Sequence, residues 1–417
     1  MKLSRIGRVS LAFVVSVAMA LGMTACGGGT IAYLWVLGTQ YNQIAGFKVD
    51  DFTGNLTPVL HSPFSSNGTN PVSVVVKAGG RYVYVVNKGI PASGSSAGTA
   101  GNISLFSVGS GGTLTFQAQY TSQGSTPVWA AIDSTGNFLY VLDTLYPNTT
   151  AFPNPNGYGD ITVFVIDSNT GRLSLVPNQQ IKDANQTQLT FFPVGPAPIM
   201  TRLSGSGCLF TVNSGNQTIS PYQIGSNGQL TLTTNSTIQT GAGNITSIST
   251  NGSYVYLTDA AATSTSPGGR IIYYTVGSGT ACSLNAVTGG PVDNLSQTAN
   301  PTYSMADTAG QVLYVLNRSS TNAQNPNTSS ISVFTIQSNG QLQQASGSGN
   351  PYSVGAGPTC IVEDPTKQYL YTSNNIDSTV TGKLIRSSRA ELGDLQRNST
   401  FPAVGQPTCL AISGNVD

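Results

Sequence analysis

Short apolar runs, separated by clusters of Gly, Ser, Asn and Asp, recur along the whole chain, and one of them is nearly a fixed phrase. It reads RYVYVVN (81–87), NFLYVLD (137–143), CLFTVN (208–213), SYVYLTD (253–259), QVLYVLN (311–317) and QYLYTSN (368–374), with a degenerate copy AYLWVLG at 32–38. Each run is short, rich in β-branched and aromatic residues, and closed by a turn former, so it predicts a strand. A unit this small cannot bury its apolar face alone and must stack on its neighbours.

Each repeat resolves into four strands. The first follows a Pro: PVSVVV (71–76), PVWAAI (127–132), PIMTRL (198–203), PTYSMA (301–306), PTCIVE (358–363) and PTCLAI (407–412); NITSIS (244–249) has Asn instead. Pro is tolerated at a strand start because its missing N–H lies outside the ladder. The second strand is the phrase above. The third reads ISLFSV (103–108), ITVFVI (161–166), ISPYQI (219–224), IIYYTV (271–276), ISVFTI (331–336), VTGKLI (380–385) and IAGFKV (44–49), with the imperfect alternation of a strand packed between two sheets. The fourth follows a Gly-rich turn, as in DSNTGRLSLV (167–176).

Counting decides the closure. The N-terminal part supplies strands two to four of a unit (32–60), and the C-terminus supplies a lone first strand (407–412). Together they complete one sheet and remove an exposed edge. The prediction is an all-β, seven-bladed β-propeller with four antiparallel strands per blade, one domain over 31–417. The largest insertions, 88–102, 144–160 and 318–330, are rich in Gly, Ser, Asn and Pro and read as surface loops.

The N-terminus carries an address. Lys2, Arg5 and Arg8 precede an apolar stretch of about a dozen residues, too short for a stable membrane span. It ends in LGMTAC, which resembles the lipobox of bacterial lipoproteins. Residues 1–25 are therefore expected to be a signal peptide, Cys26 a lipidated residue, and 26–30 a flexible tether. The expected destination is the bacterial cell envelope, with Gly27 rather than Asp pointing to the outer membrane. Charge is sparse, at 8%. Without the three basic residues of the leader, 14 of the 17 basic residues face 16 acidic ones, which excludes a nucleic-acid partner.

Four cysteines remain, at 208, 282, 360 and 409. An even count in an exported chain is compatible with two disulfides. Cys360 and Cys409 stand at the same place in successive first strands, and Cys208 and Cys282 near turns of adjacent blades. None shows metal-ligand spacing, so no metal is expected. Gly-rich segments such as GSGG (109–112) lack the ending of a phosphate loop, and no cofactor is expected.

The chain resembles the seven-bladed β-propeller lactonase family, the 6-phosphogluconolactonase-like propellers with YVTN-type repeats. The segments that carry the resemblance are SPF (62–64), PTCIVEDPTKQYLYTSN (358–374) and the ISVFTI…NGQL run (331–342). It implies a carboxylic ester hydrolase acting on a sugar lactone, with polar groups at one end of the channel. Candidate residues are few, because the chain has one His, His61, and two Glu, Glu363 and Glu391. Arg202 and Glu363 are charges embedded in first strands, where they would line the channel or a site. His61 lies on a connection between blades, with no nucleophile elbow beside it. Asn87, Asp143, Asn213, Asp259, Asn317 and Asn374 should form a polar ring, either holding a sugar or bonding the backbone at strand ends. Lys383, Arg386, Arg389 and Arg397 read as a solvated outer strand pair. Two functions compete: a lactone hydrolase, or a non-catalytic envelope propeller binding a polysaccharide or protein through its long loops.

Overall fold

The computed structural model describes residues 29–94, 97–233, 237–277, 282–319 and 327–414; the signal segment and Cys26 lie outside them. Seven antiparallel sheets follow one another along the chain. Their innermost strands are Pro71–Val76, Ser125–Ile132, Pro198–Leu203, Ile245–Asn251, Asn300–Ala306, Pro358–Glu363 and Pro407–Gly414, which define blades I to VII. Each innermost strand packs on the next, and the last returns to the first, closing a ring. Blade VII joins the chain's two ends: Pro407–Gly414 pairs with Thr30–Gly38, with Trp35 opposite Ala411 and Gly38 opposite Pro407.

Inner strands are predicted within one or two residues, because each carries a full apolar signal. In every blade but I, a further short strand also pairs with the third strand. These strands span two to five residues, as in Phe64–Ser65 and Phe192–Pro196, too few to show a period.

The repeated phrase marks how blades adhere. Three residues before its last residue, which is Asn or Asp except for Gly38 in the degenerate copy, stand Trp35, Tyr84, Tyr140, Tyr256, Tyr314 and Tyr371, all fully buried. A buried phenol needs an acceptor. Tyr84 and Tyr371 donate across the blade interface to the carbonyls of Gly171 and Gly54, each at 2.6 Å. Tyr314 donates to the Arg389 carbonyl at 3.2 Å, and Trp35 donates through Nε1 to Gly112 at 3.4 Å. Five residues before the phrase's last residue, the rings of Tyr33, Tyr82, Phe138, Tyr254 and Tyr369 lie over Gly112, Gly171, Gly228, Gly340 and Gly54 of the next blade, leaving no room for a Cβ. Those glycines all have positive φ.

Two interfaces depart from this contact. Between blades III and IV, Cys208 replaces the aromatic ring and Cys282, at φ 45°, replaces the glycine; the two form a disulfide. Between blades V and VI, Val312 replaces the ring and Arg389, at φ 57°, replaces the glycine. A second disulfide, Cys360–Cys409, joins the innermost strands of blades VI and VII, with Cα atoms 5.1 Å apart.

Candidate functional site

The innermost strands enclose a cavity of about 810 Å³ at the end of the channel where they turn into the second strands. Arg202 and Glu363, from blades III and VI, both line it. Trp129 of blade II and Tyr303 of blade V also line it; their ring centroids meet 6.2 Å apart. The Arg202 guanidinium stands over both rings, 4.6 Å from the Trp129 centroid and 5.6 Å from that of Tyr303. Its Nη2 donates to the Tyr303 hydroxyl at 2.5 Å. Such stacking holds a planar cation in place and leaves its N–H edge available.

Among the described residues, Arg202 forms no ion pair. Trp129 is 8% exposed, and its Nε1 has no acceptor. That nitrogen is shut off from the cavity, which leaves the Arg202 guanidinium as the donor free to meet a ligand. The cavity's carboxylates, by contrast, are engaged. Asp133 accepts from the backbone N–H groups of Asn137 at 2.8 Å and Phe138 at 2.7 Å through one oxygen, and from Thr135 through the other. Glu363 accepts from the Thr308 N–H at 2.9 Å and hydroxyl at 2.7 Å on Oε2, and from Arg389 on Oε1. Arg389 also donates to Asp307 at 2.6 Å. Burial opposes the charge on Arg389, but the bonds to Asp307 and the attraction of both carboxylates outweigh it and raise its pKa.

Arg389 is thus not part of a solvated outer pair. That description suits Arg386, paired with Glu391 at 3.2 Å, whereas Lys383 is itself buried and reaches the exposed Asp394 at 2.7 Å. The positive φ of Arg389 turns it inward instead, a consequence of turn geometry that charge spacing does not reveal.

The model of the family "Lactonase, 7-bladed beta-propeller" matches residues 29–181 and 258–408. The chain belongs to this lactonase family. No curated protein matches it in sequence. Among solved structures, it is similar to a protein from Lactobacillus plantarum, with 17% identity and TM-score 0.67, covering 92% of this chain and 100% of that one. It is also similar to a periplasmic gluconolactonase of Pseudomonas aeruginosa, with 15% identity and TM-score 0.65, covering 93% and 100%. A putative 6-phosphogluconolactonase of Bacteroides uniformis aligns with 15% identity and TM-score 0.64, covering 92% and 100%. At these identities the likeness concerns the fold.

In this lactonase-family propeller, the Asx positions lie at the other end of the strands from Arg202 and Glu363. Asn87, Asp143, Asn213, Asn317 and Asn374 pair in register with the prolines that open the innermost strands. All six are fully buried. Asn213, Asn317 and Asn374 donate to Ser and Thr hydroxyls of their own third strands, and Asn87 to Asn102 and Ser104. Asp143 accepts from Ser122 at 2.7 Å, and Asp259 accepts from the backbone N–H groups of Gly243, Asn244 and Ala261, so the ring is a buried one and not a solvent-facing rim. His61 is exposed, at φ 65°, and does not line the channel. The structure therefore unites Arg202 with Glu363 and leaves His61 and the Asx ring apart.

Trp129 and Tyr303 escape a reading of the sequence, although a signal exists. They occupy the third position after the opening of the innermost strand, where Ser73, Met200, Cys360 and Cys409 stand in other blades. Of the insertions, 88–102 helps line a second cavity of about 390 Å³ with Lys88, Ser122 and Gly124. The 144–160 insertion contributes Tyr146 and Phe152 to a small aromatic cluster with Phe191.

Proposed function

We propose that the channel cavity binds a sugar lactone and promotes hydrolytic opening of its ring. The observation that carries this reading is the unpaired Arg202 guanidinium, held by Trp129 and Tyr303 inside the cavity. Water attacks the acyl carbon, the ring C–O bond breaks, the ring oxygen takes a proton to become a hydroxyl, and the product is a carboxylate with release of a proton. Negative charge develops on the acyl oxygen, and the Arg202 guanidinium supplies donors for it. Donors of this kind contribute about 10²–10³-fold in rate. Sugar lactones hydrolyse slowly in water unaided, so polarisation of the carbonyl is a useful contribution on its own. Membership of the lactonase family supports the same reading. The signals at Lys2 to Cys26 support placing the protein in the bacterial cell envelope.

A second reading, a non-catalytic propeller that binds a polysaccharide or protein, is favoured by the engaged state of Asp133 and Glu363, which leaves neither carboxylate free as a general base. The test is hydrolysis of glucono-δ-lactone and related sugar lactones by the purified protein. Turnover above buffer, lost by about 10²-fold or more in Arg202→Ala and kept in His61→Ala, supports the hydrolase. Rates equal to buffer across the panel leave the binding reading.

A further inference from the structure

We propose that the channel cavity is a sugar-carboxylate site, which holds an open-chain aldonate more tightly than the corresponding neutral polyol. The inference rests on the cavity assigned above as the lactone site, but it concerns binding and stands without turnover.

A half-buried guanidinium with free N–H groups attracts an anion. In this cavity, no carboxylate among the described residues meets it. Arg202 is ion-paired to no described carboxylate, and the two carboxylates lining the cavity are engaged elsewhere. The one bond given to Arg202, at Nη2 to Tyr303, goes to a neutral hydroxyl. The Trp129 and Tyr303 rings lie together on one side of the cation, and the Tyr303 hydroxyl takes one Nη2 donor, so a ligand meets the remaining N–H groups. A planar carboxylate fits them through two parallel bonds, whereas an ester carbonyl offers one weaker acceptor. Opening a lactone converts the weaker ligand into the stronger one. A hydrolase built this way is inhibited by its own product, and a binding protein built this way selects acidic sugars.

The experiment is isothermal titration of the purified full chain with sodium gluconate and with glucitol, its counterpart lacking the carboxylate, at matched ionic strength. Gluconate should bind at least about tenfold more tightly, as a charge-assisted bidentate pair requires. Arg202→Lys, which keeps the charge and loses the fork, should lose about tenfold in gluconate affinity at an unchanged melting temperature. Trp129→Leu, which removes the ring that carries the guanidinium, should weaken gluconate more than glucitol. Equal affinity for the two ligands, absence of gluconate binding, or unchanged gluconate affinity in a folded Arg202→Lys protein would overturn the proposal. Lactone turnover in the same preparation separates the two claims. Hydrolysis without preference for gluconate removes this inference and keeps the hydrolase; preference for gluconate without hydrolysis does the reverse.

Discussion

Arg389 occupies, at positive φ, the turn position that is glycine in five of the other six blades, and from there it binds Glu363 on the channel wall. The exchange is concerted. Val312 in blade V has lost the ring that elsewhere covers the glycine, and the guanidinium fills the space and bridges Asp307 and Glu363. One substitution in a turn therefore decides the state of a carboxylate in the cavity.

Removing that bridge should be costly. Asp307 and Glu363 have side chains 0% and 1% exposed, so Arg389→Ala leaves two buried carboxylates without their cation. A loss of about 3–5 kcal/mol is expected. Chemical denaturation monitored by tryptophan emission would measure it. The combination Arg389→Gly, Asp307→Asn and Glu363→Gln should recover much of the loss, because no charge is then left unpaired.

Asp143 and Asp160 should make stability depend on pH. They face each other in register in blade II, where other blades oppose an acceptor with a donor: Asn87 with Asn102, Asn213 with Thr218, Asp259 with Arg270. Burial pushes Asp143 up to about 7, and burial together with the charge of Asp143 pushes Asp160 well above its ordinary value. Burial also acts on Asp259, but bonds from Ala261, Asn244 and Gly243 and from Arg270 prevail and lower its pKa. The folded blade II pair thus holds protons that the unfolded chain releases near pH 4. Its contribution is fully present below that pH and is lost as pH rises through about 7. Asp160→Asn should raise the melting temperature at pH 8, change little at pH 4, and flatten the profile between them. A variant with the wild-type profile would show that the pair does not titrate in this range.

The two disulfides should contribute unequally to separate tasks. Cys208–Cys282 spans 74 residues and replaces an aromatic–glycine contact, so reduction removes both the cross-link and the contact. Cys360–Cys409 spans 49 residues at the closure, where strand pairing with Thr30–Gly38 persists without it. The chain-entropy model gives each about 4 kcal/mol. The paired Cys→Ala variant at 208 and 282 should therefore lose more in thermal unfolding than the pair at 360 and 409. Truncation after Gln406 should lose more still and abolish cooperative melting, because it exposes the edge of Thr30–Gly38.

The proposed placement in the cell envelope rests on lipidation at Cys26, so on that proposal Cys26→Ala should release the propeller from membranes into the soluble fraction. Fractionation of cells expressing the variant checks this. A variant that stays with the membrane until detergent is added would place the anchor elsewhere.

The repeated phrase, the Pro-led strands and the unequal ends determine seven blades and their closure in the sequence alone, because strand periodicity and turn chemistry are local properties. The same locality shows that Arg202 and Glu363 belong to innermost strands. What only the tertiary structure decides is which groups meet. Trp129, Arg202 and Tyr303 lie on blades II, III and V, with 101 positions between Arg202 and Tyr303 alone, and their contact depends on the diameter of the ring. Glu363 is neutralised by a residue 26 positions away, through a turn whose positive φ no charge pattern announces. The Asx ring looks alike in sequence at every blade, yet its members differ in ionisation because the residue across the strand differs. That pairing, Asp143 with Asp160 and Asp259 with Arg270, is set by register, and register becomes an energy only once the blades are stacked and water is gone.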